Sequence, residues 1–304
     1  MKDWKAPGII VSAGLFLIIV AGVFGISRLM TRGDSNDRST FNLGFGGKDV
    51  VGLVRIKGNI FDARKTVESI TKLRRNPRVK SLLLRIDSPG GAVAPTQEIY
   101  EEVQRFRKTG RKVVASLGSV AASGGYYIAS AADKIFSYPG TVTGSIGVIV
   151  VLPNAEKMLG KLGLSFNVIK SAPHKDMGSP FRSMTDEDRR VFQNLIDDTF
   201  GQFVMAVSKG RNISIERARE IADGSVYSGE RAKKLGLVDE LGSQWDAALV
   251  AARFAKINGE PRLLEMKTRE GFIDFFTKSV MGLLDGGSAS YFGASPAVLQ
   301  YMWR

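Results

Sequence analysis

The sequence predicts an α/β fold in which largely parallel strands are flanked by helices, and three observations lead there. Apolar runs rich in β-branched residues at 50–56, 81–86 and 112–116 alternate with segments that have the periodicity of amphipathic helices. The spacing of this alternation is typical of parallel strands joined by helical crossovers. Glycine-rich turns, DSPGG at 87–91 and SGG at 123–125, follow two of the strands. We therefore expect both turns at the carboxyl edge of one sheet.

The remaining elements follow the same two patterns along the chain. The longest helix is predicted to begin after Thr185, whose hydroxyl can cap a first turn rich in acidic residues. No repeat of roughly 20 to 50 residues runs through the chain, which excludes a solenoid. Helices are predicted at 63–75, 96–107, 124–131, 185–211, 215–222 and 229–235, and further strands at 135–138 and 166–169.

Both ends of the chain differ in composition from this central part. Residues 6–27 carry no charge, can span a bilayer core of about 30 Å, and are not followed by a signal-cleavage pattern of small residues. We predict an N-terminal membrane anchor at 1–32, a polar linker at 33–48, a folded domain at 49–255 and a C-terminal extension at 256–304. The extension contains GFIDFFTKSVMGLLDG, which predicts an amphipathic helix. That helix would suit packing on its own chain, on a neighbouring subunit or on a membrane surface.

Composition excludes several classes of function. The chain has no cysteine, so thiolate catalysis, thiolate metal sites and disulfides are all excluded. Its net charge of +13 would suit nucleic acid or an anionic membrane. The basic residues are scattered, however, and the chain lacks both a long basic tract and an aromatic RNA-binding motif. We therefore expect a solvated basic surface near a membrane and no nucleic-acid partner.

Ser123 is the first candidate for chemistry. It lies among small and apolar residues in SVAASGGYYIA, which predicts either a buried, hydrogen-bonded serine or a presented nucleophile. An activated serine needs a sharp strand-to-helix turn and nearby backbone N–H groups for the oxyanion. Gly124 can donate one amide, and Gly90 or Gly91 in DSPGG can donate a second. A phosphate-binding loop is the competing interpretation, but neither segment contains GK[ST].

Two neighbouring residues, His174 and Lys175, are candidates for the general base. His174 is the single histidine of the chain, and a histidine has an ordinary pKa of about 6.5, which suits a base. A lysine base needs a pKa lowered by roughly 3 units, about 4 kcal/mol of differential solvation, which an apolar site can supply. In an extended segment the two side chains point to opposite faces, so only one would reach the hydroxyl. Spacing alone leaves both open.

Five segments carry a family resemblance. DSPGG, SVAASGGYYIASAADKI, GTVTGSIGV, KSAPHKDMGSP and DGSVYSGERAKKLGLVDELG occur in this order over about residues 48–250. Together they resemble the signal peptide peptidase A family of membrane-anchored serine peptidases. The resemblance implies a ClpP/crotonase-like fold, a repeated β-β-α spiral with parallel sheets and flanking helices. The single copy of the unit is similar to the short form of the family.

The resemblance also implies roles for individual residues. Ser123 corresponds to the nucleophile and Lys175 to the general base, which leaves His174 without a role. The backbone amides of Gly124 and of Gly90 or Gly91 correspond to the oxyanion donors. No cofactor and no metal are implied. Short forms are similar to homo-oligomeric rings in which adjacent subunits share a site, so an isolated protomer is expected to be inactive.

The same resemblance implies a substrate class and a location. The expected substrates are remnant signal peptides and other small or unfolded peptides. The expected location is the cytoplasmic (inner) membrane, with a single membrane pass and the catalytic domain on the exported side.

Two alternatives belong to other classes of protein. A crotonase-type acyl-CoA hydratase or isomerase shares the fold, but its proton transfers usually need a placed carboxylate, and we find no convincing acid for that role near the glycine loops. A ring-forming membrane scaffold would have lost activity, which the intact Ser123 and Lys175 disfavour. Structural roles are expected for Ser119, Ser88, Ser145, Asp87, Tyr126 and Tyr127, an orienting role is open for Asp176, and Arg182 is expected to be a surface charge.

Overall fold

A computed structural model of the protein describes residues 48–266 and 300–302 of the 304-residue chain. Within these residues no helix is both long enough and apolar enough to cross a membrane. The predicted anchor at 1–32 and the predicted amphipathic helix of the C-terminal extension lie outside the described residues.

The described residues form an α/β structure in which strands and helices alternate. The strands are β1 (Val50–Lys57), β2 (Val79–Ser88), β3 (Gly90–Ala92), β4 (Lys112–Ala122), β5 (Lys134–Ser137), β6 (Val142–Gly144), β7 (Val226–Ser228), β8 (Glu240–Leu241), β9 (Leu263–Glu265) and β10 (Gln300–Met302). The helices are α1 (Arg64–Arg75), α2 (Val93–Arg107), α3 (Gly124–Ala129), α4 (Glu156–Lys161), α5 (Asp186–Arg211), α6 (Ile215–Ile221), α7 (Gly229–Lys234) and α8 (Gln244–Phe254), with a 3-10 turn at Pro173–Asp176. This pattern confirms the predicted class.

The main sheet has the order β7-β6-β4-β2-β1-β9, and its strands are parallel except at the β6–β7 pair. The long strand β4 pairs with β2 along one edge and with two strands along the other, β5 in its first half and β6 in its last three residues. The register between β2 and β4 shifts after Ile86, which pairs with Leu117, because the next paired residues are Ser88 and Ala121. The end of β4 leads directly into Ser123 and the start of α3.

The two faces of the sheet are covered by different helices. Alternate residues of β1 face opposite sides, so Val54 packs in the core beneath α1, α2, α3 and α5, while Leu53 packs against α8. The hydroxyl of Ser81 donates to the Ala251 carbonyl at 2.8 Å and ties β2 to α8. Burial on both faces explains the continuous apolar runs of the central strands.

The capping of the longest helix confirms a sequence prediction. The Thr185 hydroxyl accepts the amide of Asp188, and the Asp188 carboxylate accepts the amide of Thr185. This reciprocal pair of hydrogen bonds fixes the start of α5 and therefore the position of the segment that leads into the helix.

One predicted strand is wrong. Residues 166–169 form no strand, and Phe166, Val168 and Ile169 are exposed. Their alternating apolar pattern suits a strand, but among the described residues no neighbouring strand pairs with their backbone groups. Several boundaries also differ from prediction: β2 extends to Val79–Ser88, α2 begins at Val93, β4 continues to Ala122, and α3 ends at Ala129.

Candidate active site

Ser123 lies between β4 and α3 in a backbone conformation that serine rarely adopts. Its φ of 52° and ψ of −117° lie outside the helical and extended regions, a strain that costs about 1–3 kcal/mol. Its amide donates to the Gly144 carbonyl at 2.8 Å, and its carbonyl accepts the Tyr127 amide at 2.8 Å. A strained strand-to-helix turn of this kind is typical of nucleophilic serines, because it lifts the hydroxyl clear of the strand. The conformation therefore favours the nucleophile over the buried structural serine.

Glycines let the DSPGG loop approach the serine turn closely. A methyl group on Gly90 would lie 2.7 Å from the Gly124 amide nitrogen, and Gly90 itself has a φ of 104°. A methyl group on Gly125 would lie 2.7 Å from the carbonyl oxygen of Ser88. Since β-carbons do not tolerate such distances, only glycine fits at these positions. The two turns predicted at one edge of the sheet are in fact in contact.

Polar side chains of the DSPGG segment hold the loop. The Ser88 hydroxyl donates to the Gly58 carbonyl at 2.6 Å and accepts the Gly90 amide at 3.1 Å. The Asp87 carboxylate accepts the Val120 amide at 3.1 Å, which ties the loop to β4. Asp87 and Ser88 have the structural roles expected from the sequence.

The three candidate oxyanion amides have different surroundings. The Gly90 amide is engaged by Ser88. The Gly90 carbonyl and the Ala92 amide bond to Ile60 on one edge of β3, so the Gly91 amide faces the other edge, where β10 pairs. The Gly124 amide belongs to the first turn of α3, where Ser123 makes no side-chain capping hydrogen bond.

Aromatic residues after the serine form the floor of this region. The Tyr126 hydroxyl donates to the Leu237 carbonyl at 2.8 Å, and burial raises the pKa of Tyr126. Tyr127 packs edge-on against Tyr100, with ring centroids 5.0 Å apart, and burial raises its pKa to about 12. Both tyrosines remain protonated and packed, as expected for core or groove-wall residues.

Lys175 and His174 lie in a very different environment. Both are exposed, and both belong to the 3-10 turn, which corrects the extended conformation expected here. We call residues 149–184 the lysine arm. Within the described residues, the hydrogen bonds and ion pairs of positions 170–182 have partners only between 154 and 188. The arm therefore bonds to itself and to the start of α5, and these contacts do not bring it to Ser123.

Arg182 organises the lysine arm, which corrects its expected role as an ordinary surface charge. Its guanidinium donates two hydrogen bonds of 3.0 Å to Asp176 and also pairs with Asp188. Lys170 donates to Asp176 at 2.7 Å. The bonds from Arg182 hold the pKa of Asp176 well below its ordinary value and lower that of Asp188 to about 2. Asp176 therefore anchors the turn that carries Lys175, a role that sequence reasoning left open.

Sequence reasoning missed the Arg182 bridge, although a signal was present. An acid stands six positions before Arg182 and another six positions after it, a spacing compatible with bridging once the chain folds back. No group of three or more metal-ligating side chains occurs in the described part of the chain.

A strained serine at the end of a parallel strand, beside a glycine loop that shows bare backbone, defines the class of serine hydrolases. Comparison of the sequence with known families gives the particular family. The chain belongs to Peptidase family S49, whose sequence pattern matches residues 105–258.

Related proteins agree with this assignment. A Synechocystis protein named as a protease is 45% identical over 68% of this chain and 74% of its own length. An Enterococcus faecium protein named as signal peptide peptidase SppA is 32% identical over 81% of this chain and 79% of its own length. Protease 4 of Salmonella typhi is 35% identical over 72% of this chain, but over only 36% of its own length. The resemblance to the signal peptide peptidase A family is confirmed, the protein is a serine protease, and the hydratase alternative is wrong.

Proposed function

We propose that the protein is a membrane-anchored serine endopeptidase whose nucleophile is Ser123 and whose general base is Lys175. The observation that carries the proposal is the strained backbone of Ser123 against the bare backbone of Gly90. A buried serine that only completes a core needs no such strain.

The proposed reaction follows from these groups. The Lys175 amine takes the proton of the Ser123 hydroxyl, and the Ser123 Oγ attacks the peptide carbonyl. The amide of Gly124 and an amide of the DSPGG loop stabilise the oxyanion. Because the Gly90 amide is engaged by Ser88, Gly91 is the better second donor. Lysine then protonates the leaving amine, and water resolves the acyl-enzyme through the same base.

In this proposal, contact between two subunits brings Lys175 of one copy close to Ser123 of the other. The lysine arm exposes a series of large apolar side chains, among them Ile169, which has no burial at all in the single chain. The exposed apolar residues of the arm are Ile149, Val151, Met158, Leu162, Leu164, Phe166, Val168, Ile169, Phe181 and Met184. A surface this apolar is typical of an interface. Its occupant is a second copy of the chain, because the arm carries the base and the neighbouring copy carries the nucleophile that needs it.

Packing against that copy also serves the chemistry of the base. A lysine acts as a base near neutral pH only when its surroundings disfavour the charged amine. Apolar side chains of an interface exclude water and so provide such surroundings. The proposed ring is therefore part of the active site and an isolated protomer is inactive.

The substrate and the location complete the proposal. Residues 6–27 anchor the chain in the cytoplasmic membrane, with the catalytic domain on the exported side. The substrates are remnant signal peptides and other short, unfolded peptides that lie extended against the glycine backbone. In E. faecium a relative carries the name signal peptide peptidase, which supports this substrate class.

Subunit mixing tests the shared dyad. Ser123→Ala and Lys175→Ala proteins should each lose about 10⁴-fold in peptide hydrolysis. When the two inactive proteins are dissociated, mixed in equal amounts and reassembled, about a quarter of wild-type activity should return, since a quarter of the interfaces join an intact serine to an intact lysine. Activity that does not return, despite reassembly shown by mass photometry, would rule out sharing.

His174→Ala is the matched control for the base. It changes the adjacent side chain in the same exposed turn. We expect peptide hydrolysis to fall by less than about threefold, because in the proposed mechanism the imidazole takes no part in the proton transfer. Complete loss of fluorophosphonate labelling of Ser123 in an assembled His174→Ala protein would instead assign the base to histidine. If fluorophosphonate still labelled all three variants, Ser123→Ala, Lys175→Ala and His174→Ala, the Ser123–Lys175 dyad would be excluded.

A further inference from the structure

Two short basic segments that are separate in the sequence meet at one edge of the main sheet. Residues 72–80 and 105–112 each contain five lysines or arginines and no acid. The Arg111 guanidinium, in the second segment, donates to the carbonyls of Arg74 at 2.6 Å and Val79 at 2.8 Å, both in the first. The segments lead into β2 and β4, which are parallel neighbours, so both lie at the amino edge of the sheet. We call these two segments the basic edge.

The basic edge keeps an excess of positive charge after its ion pairs are counted. Its ten cations pair with five acids, which leaves an excess of five positive charges. The pairing acids are Asp49, Glu68, Glu101, Glu102 and Asp133. Among the described residues, Arg75, Arg78 and Lys108 form no ion pair, and all three are exposed. These three side chains are free to meet an external anion.

Two ordinary roles do not explain this charge. Cations in the last turn of a helix are stabilised by the helix dipole, which accounts for Arg75 in α1 and Arg107 in α2. Arg78 and Lys112 lie outside those helices, next to the starts of β2 and β4. Substrate binding is also excluded as the reason, because the ten residues of β2 hold the basic edge about 30 Å from Ser88 in the DSPGG loop.

The chain enters the described domain at the basic edge. Lys48, the first described residue, leads into β1, and its carbonyl accepts hydrogen bonds from the Arg78 guanidinium at 3.3 and 3.4 Å. Because β1 is parallel to β2, its start lies at the same edge. The anchor of the proposed function, residues 6–27, is joined through residues 28–47 to this edge of the sheet and not to the catalytic one. In that topology a short tether keeps the edge near the bilayer, so that several weak contacts are enough to hold it there.

We propose that the basic edge binds the anionic phospholipid headgroups of the membrane in which the chain is anchored. Lysines and arginines are attracted to an anionic lipid surface within a Debye length, about 8 Å at physiological salt. The headgroup phosphates supply the partners that Arg75, Arg78 and Lys108 lack in the described part of the chain. The inference rests on the proposed function, since it takes residues 6–27 as the anchor. It orients the amino edge of the sheet toward the headgroups and the DSPGG loop toward the far side.

Energy transfer to the membrane tests this contact in the full-length protein. The chain has no cysteine, so a donor dye can be attached at a single introduced one. Pro77→Cys places the dye on the basic edge, and Gly140→Cys places it on the exposed loop between β5 and β6, where a β-carbon meets no atom within 4 Å. The vesicles contain phosphatidylcholine, phosphatidylglycerol and a headgroup-labelled acceptor lipid. Transfer from position 77 should be at least about twofold that from position 140. In phosphatidylcholine alone, or in about 1 M NaCl, where the Debye length is about 3 Å, this difference should disappear.

A triple variant ties the signal to named side chains. Arg75→Gln/Arg78→Gln/Lys108→Gln protein, labelled at position 77, should lose at least about half of the increase that phosphatidylglycerol produces, because its three unpaired cations are gone. If transfer from position 77 ignores phosphatidylglycerol in the otherwise wild-type protein, the inference is wrong.

The matched control removes the same charge elsewhere. Lys57→Gln/Arg189→Gln/Arg231→Gln replaces three exposed cations outside the basic edge, and its transfer should match that of the otherwise wild-type protein. Equal transfer in the two triple variants would overturn the inference. Tighter binding of the basic edge to a DNA oligonucleotide than to phosphatidylglycerol vesicles, at physiological salt, would also overturn it and would assign the edge to nucleic acid.

Failure of this inference can be told apart from failure of the proposed function. If fluorophosphonate labels Ser123 and alkaline carbonate leaves the protein in the vesicles, while the dye at position 77 ignores phosphatidylglycerol, the proposed function stands and the lipid contact is refuted. If carbonate extracts the protein, the proposed anchor is wrong. Salt-sensitive flotation with phosphatidylglycerol vesicles, lost in the variant of the basic edge, would still support the lipid contact in that case.

Discussion

The nucleophile region and the lysine arm are built in opposite ways. Around Ser123 the chain is buried from residue 121 to residue 132, and the glycines at 90 and 125 allow contacts that any β-carbon would prevent. The lysine arm, by contrast, exposes apolar side chains and, among the residues that the structure describes, forms hydrogen bonds only within itself and with the first turn of α5. One region is buried within a single chain, whereas the other presents apolar side chains to solvent.

The difference shows where the chemistry is decided. The geometry of a nucleophile depends on backbone angles within one turn, which a short sequence can specify. The behaviour of a lysine base depends on what surrounds its amine, and a single chain leaves Lys175 in solvent. We therefore expect changes near Ser123 to act through local geometry and changes in the arm to act through assembly.

Among changes outside the proposed dyad, the largest effect is expected at Gly90. Gly90→Ala puts a methyl group 2.7 Å from the Gly124 nitrogen on a residue whose φ is 104°. We expect a loss of at least about 10²-fold in kcat/KM and about 2 kcal/mol or more in the free energy of unfolding. Gly140→Ala is the matched control, since a methyl group there meets no atom within 4 Å. Peptide hydrolysis and chemical denaturation of the Gly90→Ala and Gly140→Ala proteins measure these effects. Wild-type activity and stability of the Gly90→Ala protein would contradict the importance of the close backbone contact.

The next effect is expected at Ile169, the most exposed apolar residue of the arm. Ile169→Asp puts a charge on the proposed interface, so the ring should dissociate and activity should fall about 10²-fold, because an unpaired buried charge is costly. The stability of the protomer should change by no more than about 0.5 kcal/mol. Ile215→Asp, at the exposed start of α6, should leave assembly intact. Sedimentation in detergent together with a peptidase assay decides, and an intact, active Ile169→Asp ring would exclude the arm as the interface.

The smallest effect is expected at low pH, where the folded structure of the lysine arm should become less stable. Because Arg182 lowers the pKa of Asp188 to about 2, the ionised carboxylate stabilises the folded arm above its unfolded pKa of about 4. That stabilisation is lost as pH falls from about 4 through 2. Hydrogen exchange of residues 170–188 should therefore be protected at pH 5 and lose protection in this window. Arg182→Gln should show reduced protection already at pH 7, and equal protection in both proteins would remove Arg182 as the organiser.

Much of the fold was encoded locally and could be predicted. The strands β1, β2 and β4 could be predicted from short continuous apolar runs, and the start of α5 from Thr185 and the acid three residues after it. The contact of the DSPGG loop with Ser123 also followed, since parallel strands bring their carboxyl ends to one edge. The strand expected at 166–169 failed because pairing depends on a neighbour that local pattern does not specify.

The sequence by itself determined the class of fold, the family and the candidate residues Ser123 and Lys175, because these depend on short patterns in a fixed order. Only the tertiary structure decided the strained angles of Ser123, the bridge from Arg182 to two acids, and the seat of Tyr301 beside the glycine strand. The physical reason is the sequence separation over which each kind of interaction acts. Periodicity and capping act over a few residues, whereas Tyr301 meets Gly91 across more than two hundred positions, and only the packed chain selects such a contact.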